Sequence, residues 1–246
     1  MHQTMDLKSH FNEFFYITRI NTPELLDQAF KLRYEVYIKD CGYEFHNPYG
    51  ADEIEKDSYD EHSYHCLLFH RPTNNPIGYI RLIPYKTNGG YLLPVEKFGI
   101  NFNQNIIKKL RSSTMGEISR MAIHPSFRRR LSDRLYKFEC SESSNGSRFR
   151  VNYLPASLVL ACGALMKNHY IEHSVALMEY KLAVLIKKYG VVFEKIGDSI
   201  QLNGTRTPFL MSSQEIYENL SDDFKELFTS IDHQINPSQT LAVNVE

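Results

Sequence analysis

The run from Gly116 to Arg130, GEISRMAIHPSFRRR, constrains this chain more than any other stretch. Glu117 to Ile123 reads as a strand, and His124-Pro125 ends it, because a proline has no N–H to give a sheet ladder. A carboxylate (Glu117), a hydroxyl (Ser119) and a guanidinium (Arg120) all lie within that strand. Arg128, Arg129 and Arg130 follow its exit, with Arg134 and Lys137 beyond them. Charged side chains inside a strand and a cationic patch at its end form a layout suited to chemistry beside an anionic partner.

The flanking segments read as alternating strands and helices. Glu13 to Ile20 is a first strand, and Thr22-Pro23 opens a helix with a capping hydroxyl and a proline in the first turn. Leu26, Ala29, Phe30, Arg33 and Tyr37 share one face of that helix, so Arg33 lies on an apolar stripe, where it either takes an anionic partner or snorkels to the helix edge. Cys41 to Glu61 is irregular and acidic, and most of its carboxylates are expected on solvated surface. Tyr64–His70 and Ile77–Pro84 make a hairpin around Arg71-Pro72-Thr73-Asn74-Asn75-Pro76, with Arg81 in its second arm. A short helix near Ile106 to Leu110 leads to the central strand.

After the arginines, Cys140 to Gly146 reads as a loop and Pro155 to Asn168 as a buried helix. Ser174–Met178, Val191–Ile196 and Thr205–Met211 read as strands, and Glu179–Tyr189 as a helix stopped by Gly190. A final helix, Ser212 to Ile231, opens on a capping box of Ser212 and Glu215, and residues 232–246 read as a flexible tail. The alternation implies an α/β or α+β class on one central sheet, and 246 residues suit a single domain over 1–246.

Composition narrows the function classes. A net charge of −1 gives no overall basicity for nucleic acid, and no apolar run approaches the ~20 residues of a membrane span. The N-terminus has no signal-peptide core, and the four cysteines form no CxxC pair, so a cytoplasmic protein with free thiols is expected. His62, His65, Cys66 and His70 have no standard zinc spacing, and no metal site is expected. Cys162, on an apolar helix without an activating base, reads as core.

Four blocks in order resemble the GNAT acyltransferases, and within them the acyl-homoserine lactone (autoinducer) synthases. The blocks are Leu32-Arg33-Tyr34-Glu35-Val36-Tyr37 with Tyr43, Asp57-Ser58-Tyr59-Asp60, Gly78-Tyr79-Ile80-Arg81-Leu82-Ile83-Pro84, and Glu117-Ile118-Ser119-Arg120. The EISR-to-FRRR run and Arg206-Thr207-Pro208 look like the PEP-CTERM/exosortase-associated acyltransferases, and N-acyl amino acid synthases are also similar. Met121-Ala122 stands where lactone synthases carry aromatics, and Tyr37 and Tyr43 replace their usual Phe and Trp. These departures turn the expectation away from S-adenosylmethionine as substrate.

The resemblance implies a central mixed sheet with a splayed pair of strands flanked by helices. It implies transfer of a long-chain acyl group to the amine of an amino acid or similar small molecule. A lactone synthase using S-adenosylmethionine and a non-catalytic carrier-binding module are the alternatives. Glu117 is the candidate base, directly or through a water, against the plainer reading of an ion-paired strand carboxylate, with Ser119 and Arg120 beside it. Arg33, Arg81 and Arg120 with Asp57 and Asp60 would make a charged cluster that folds the acidic segment over the amine pocket near Tyr37 and Tyr43, as linked ion pairs or in direct contact with substrate. Regular alternation sends Glu117 and Arg120 to opposite faces; the resemblance implies a bulge that changes this. Pro125 to Asp133 holds no glycine for a backbone pyrophosphate cradle. Arg128, Arg129, Arg130 and Arg134 instead suit the acidic surface of an acyl carrier protein, whose acyl-phosphopantetheine is the expected donor in preference to acyl-CoA. No tightly bound cofactor is expected.

Overall fold

The computed structural model describes residues 6–43, 52–85, 93–102, 114–128 and 153–237. It opens on helix α1 (Leu7–Phe14), capped by the Asp6 carboxylate, which accepts from the Ser9 N–H at 2.8 Å. Leu7, His10 and Phe11 are buried at helical spacing, so strand β1 begins only at Phe15 and ends at Arg19. Helix α2 (Pro23–Tyr34) starts as expected, with the Thr22 hydroxyl accepting from the Leu25 N–H at 3.3 Å. It runs on into a π-helical turn, Glu35–Asp40, closed by the Cys41 N–H on the Val36 carbonyl.

The sheet contains β2 (Tyr64–His70), β3 (Asn75–Pro84), β4 (Met115–Ile123), β5 (His173–Met178), β6 (Glu194–Lys195), β7 (Ile200–Gln201) and β8 (Thr205–Ser212). Its order is β1-β2-β3-β4-β5-β8-β6, with β7 also on β8. Every pairing is antiparallel except β4 with β5, which are parallel and joined across helix α3 (Leu154–Asn168). This is the mixed α/β architecture the sequence implied.

The parallel pair is short. Met115–Ile118 pair with His173–Ala176, and there the contact ends. β4 continues along β3 as far as Ile123, whereas β5 continues along β8 as far as Met178. The sheet therefore forks between β4 and β5, immediately past Glu117 and Ile118.

The two faces differ in what covers them. On one, α1, α3 and the last helix pack on Ile80, Leu82, Ile118 and their neighbours. On the other lie two separate apolar clusters: Ala29, Leu32 and Val36 against Leu67, Phe69, Tyr79 and Ala122, and Val95 with Ile83, Met115, Val175 and Leu210. Arg81, between Tyr79 and Ile83 on β3, sits at the seam between those clusters.

The C-terminal half departs from expectation in four places. Helix α4 is Tyr180–Lys187, and the strand after it shortens to Glu194–Lys195. The single final helix is two, α5 (Ser213–Asn219) and α6 (Asp222–Ile235), and Ser212 makes no side-chain cap. Leu220 breaks them in an extended conformation while its side chain is buried. Helix α6 buries Ile231 and Ile235, so the tail does not begin at 232; 238–246, the helix near Ile106–Leu110 and the loop Cys140–Gly146 lie outside the described residues. Among the described residues no helix is long and apolar enough to cross a membrane.

Gly190 fits this break closely. Its φ is +91°, and a Cβ there would lie 2.2 Å from the Asn219 carbonyl oxygen. Gly190→Ala should therefore cost roughly 1–3 kcal/mol, read as a lowered midpoint in thermal or urea unfolding.

Candidate active site

The end of the acidic segment meets the arginines, as expected of Asp57 and Asp60, and Glu55 joins them. Arg33, carried inward by the apolar face of α2, is fully buried and donates from Nε to Glu55 Oε2 at 2.5 Å and from Nη1 to Asp60 Oδ1 at 2.6 Å. Arg81 meets the same Asp60 Oδ1 at 2.6 Å through Nη1. It also grips Asp57 with two nitrogens, at 2.6 and 3.1 Å, and donates from Nε to Ser119 Oγ at 3.0 Å. Arg120 closes the set on Glu55 Oε1 at 3.2 Å and Asp57 Oδ2 at 3.0 Å. Three guanidiniums thus neutralise three carboxylates, joining α2, the segment before β2, β3 and β4.

Electrostatics follow from that pairing. Burial alone would push the Asp57 and Asp60 carboxyls up, but the guanidiniums outweigh it and hold both below the usual carboxylate range. His65 lies beneath, with Nε2 2.9 Å from the Asp60 carbonyl oxygen and Nδ1 2.6 Å from the Tyr79 hydroxyl. A carbonyl only accepts, so Nε2 carries the proton and Nδ1 accepts from Tyr79. Burial pulls the imidazole down to about 4, in keeping with this neutral form.

Arg120 reaches the cluster because β4 bulges. Tyr79 pairs with Ala122 and Arg81 with Ser119, so Ile80 alone faces both Arg120 and Met121. Arg120 has φ +53°, a conformation uncommon for a non-glycine residue. The extra residue returns Arg120 to the face of Glu117 and Ser119. This is the bulge the resemblance implied.

Glu117 stands apart from the cluster. It is 3% exposed and accepts at Oε2 from the Val95 N–H at 2.9 Å, within a 3-10 turn at Pro94–Phe98. Burial raises its carboxyl to about 8. It is opposite Val175 in the last stretch of β4–β5 pairing, at the base of the fork.

The other predicted residues are less central. Tyr37 donates to the Met121 carbonyl at 2.9 Å and stacks on Tyr43 with centroids 6.0 Å apart. Tyr43 accepts from Arg206 Nη2 at 3.0 Å. Arg128 pairs with Asp40, so part of its charge is used within the chain. Arg129, Arg130 and Arg134 lie outside the described residues. Cys66 and Cys162 are buried free thiols, and burial pushes Cys66 up to about 12, which leaves it inert. Sequence reasoning missed Glu55, His65, Tyr79 and Arg206 as members of this region.

Comparisons with known proteins bear on the fold. The family model described as "Acetyltransferase (GNAT) domain" matches residues 32–136. A search of curated proteins gives no match. Among solved structures, FeeM, an N-acyl amino acid synthase from uncultured soil microbes, superposes with a TM-score of 0.56 at 14% identity, covering 84% of this chain and 94% of that one. The CoA-dependent acyl-homoserine lactone synthase BjaI, solved with SAM and isopentyl-CoA, gives 0.54 at 16% identity and 89% of each chain. The lactone synthase LasI gives 0.53 at 18%, over 84% and 95%. The fold is GNAT-like.

In this GNAT-like fold, the fork and the bulge share one face with the charged cluster. A separate open groove of about 1030 Å³, lined by Met166, Tyr170, Tyr217 and Phe228 among others, lies between α3, α5 and α6 on the opposite face.

Two stability measurements check the cluster and Glu117. Asp60→Asn leaves two buried guanidiniums short of a counter-ion and should cost about 3–5 kcal/mol in urea unfolding. The depressed Asp57 and Asp60 add stability above their ordinary value of 3.8, and it should be lost as the pH falls below that. Glu117 acts in the opposite sense. Between its ordinary 4.5 and its folded value of about 8, the native state holds a proton that the unfolded chain has lost. Stability should therefore fall as pH rises through that window, and Glu117→Gln should flatten the fall.

Proposed function

We propose that the chain is an N-acyltransferase that moves a long-chain acyl group from an acyl-carrier thioester to the amine of an amino acid or similar small amine. The observation that carries this reading is the buried Glu117 carboxyl at the base of the fork, with its pKa raised to about 8. A group poised near neutrality can take a proton from an attacking amine, directly or through one water. The amine nitrogen forms the new C–N bond at the thioester carbonyl and loses a proton to Glu117. The C–S bond then breaks, and the leaving sulfur takes up a proton to become the free phosphopantetheine thiol.

The other residues take supporting roles in the proposal. A backbone N–H at the Arg120–Met121 bulge is the candidate donor to the developing oxyanion. Ser119 and Arg120 border the reacting centre. Arg33 and Arg81 with Asp57 and Asp60 hold the acidic segment against the sheet, and Tyr37 and Tyr43 line the amine side. Arg128 with Arg129, Arg130 and Arg134 steers an acidic carrier protein, and acyl-CoA is the second donor to test. The likeness of the EISR-to-FRRR run to PEP-CTERM/exosortase-associated acyltransferases and N-acyl amino acid synthases supports an amine acceptor over S-adenosylmethionine.

The test offers long-chain acyl-carrier protein and acyl-CoA separately to the purified protein with a panel of amines and with S-adenosylmethionine, and mass spectrometry reads the products. An acyl-amine formed from the carrier is the expected product; a lactone or carrier binding without turnover would reject the reading. Glu117→Gln should lower kcat/KM on the order of 10²–10⁴-fold while leaving the fold intact. Wild-type activity should rise with pH through about 8 as the carboxyl ionises. The variant's residual rate should lack that carboxyl step.

A further inference from the structure

The segment Glu35–Tyr43 touches both arms of the fork. On the β4 side it is held twice: the Tyr37 hydroxyl donates to the Met121 carbonyl at 2.9 Å, and Asp40 pairs with Arg128 just past the strand. On the other side it is held by Arg206 of β8, which donates from Nη2 to the Tyr43 hydroxyl at 3.0 Å. The two tyrosine rings stack at 20° between those anchors, and the Tyr43 N–H bonds the Tyr37 carbonyl at 2.8 Å. Arg206 is itself fixed by the carbonyls of Leu202 and Asn203, at 3.2 and 2.8 Å, and by Glu179, at 3.0 Å just past β5.

This bridge lies at the mouth of the fork rather than its base. Glu117 is level with Val175 and Leu210, and Arg206 is four residues further along β8, roughly 13 Å away. No β-ladder joins β4 to β5 past Ile118 and Ala176. Tyr37 on the π-helical turn and Tyr43 three residues past its end span the gap instead, and π-helical turns are frequent at functional sites.

We propose that Arg206, Tyr43 and Tyr37 form a clasp that ties the two arms of the fork together at its mouth. The clasp is closed by a charge-assisted hydrogen bond, Arg206 to Tyr43, backed by an aromatic stack. It goes beyond the acyl-transfer reading and stands whether or not that reaction is found.

Hydrogen exchange followed by mass spectrometry tests it without any activity assay. In Arg206→Ala, amides of the peptide 35–43 should exchange about tenfold faster or more, while those of α3 keep their wild-type rates. Tyr43→Phe removes one oxygen, keeps the ring, and should speed the same peptide in the same direction. Unchanged exchange at 35–43 in either variant would overturn the clasp. Equal acceleration in α3 would also overturn it, because the contact would then serve the whole fold and not the mouth.

Discussion

One carboxylate oxygen, Asp60 Oδ1, is shared between Arg33 and Arg81 at 2.6 Å each. Those arginines come from a helix and a strand and share no other anion among the described residues. Without it, two guanidiniums would stand side by side in an interior where water cannot screen them. Glu55 and Asp57 complete the neutralisation and extend it to Arg120. The segment around 55–60 is therefore pinned by charge where it lacks regular structure, and the seam between two apolar clusters on that face is filled by ions rather than methyl groups.

The order of elements and the main contents of this site were legible in the sequence because each left a local mark. Thr22-Pro23 starts a helix, Arg33 breaks an apolar stripe, and His124-Pro125 ends a strand. What was not legible depended on contacts between segments distant in sequence. Glu55 looks like any other residue of an acidic run, and only Arg33, 22 residues earlier, and Arg120, 65 later, set it apart. His65 alternates like an ordinary strand residue, and its meaning comes from the Asp60 carbonyl and Tyr79 hydroxyl it meets. The joint between α5 and α6 was missed for a similar reason. The capping pattern at Ser212 and Glu215 is a local cue, whereas the buried Leu220 and the approach of Gly190 to Asn219 are tertiary.

The bulge in β4 connects the fork to the cluster. A regular strand would place Arg120 on the face of Ile118, among the apolar side chains under α3, where a guanidinium has no partner. Adding one residue opposite Ile80 brings it back to Glu55 and Asp57, at the cost of a positive φ. The same insertion turns the Met121 carbonyl to the Tyr37 hydroxyl, so the segment after α2 is tied to β4 where β4 departs from β5.

Glu117 shows how far burial can carry a carboxyl that has two guanidiniums nearby. An unpaired guanidinium nearby lowers a carboxyl by about 1–3 pKa units, and Arg81 and Arg120 both pull on Glu117 in that direction. Burial nevertheless wins and leaves the group at about 8. Burial is the largest influence on this carboxyl, and it outweighs the Val95 N–H as well as the two guanidiniums, while Glu96 adds to the rise. The depth of Glu117 in the sheet, at the end of the β4–β5 pairing, is therefore what keeps the carboxyl at the base of the fork protonated up to about 8, while Arg81 and Arg120 beside it are held on Glu55, Asp57 and Asp60.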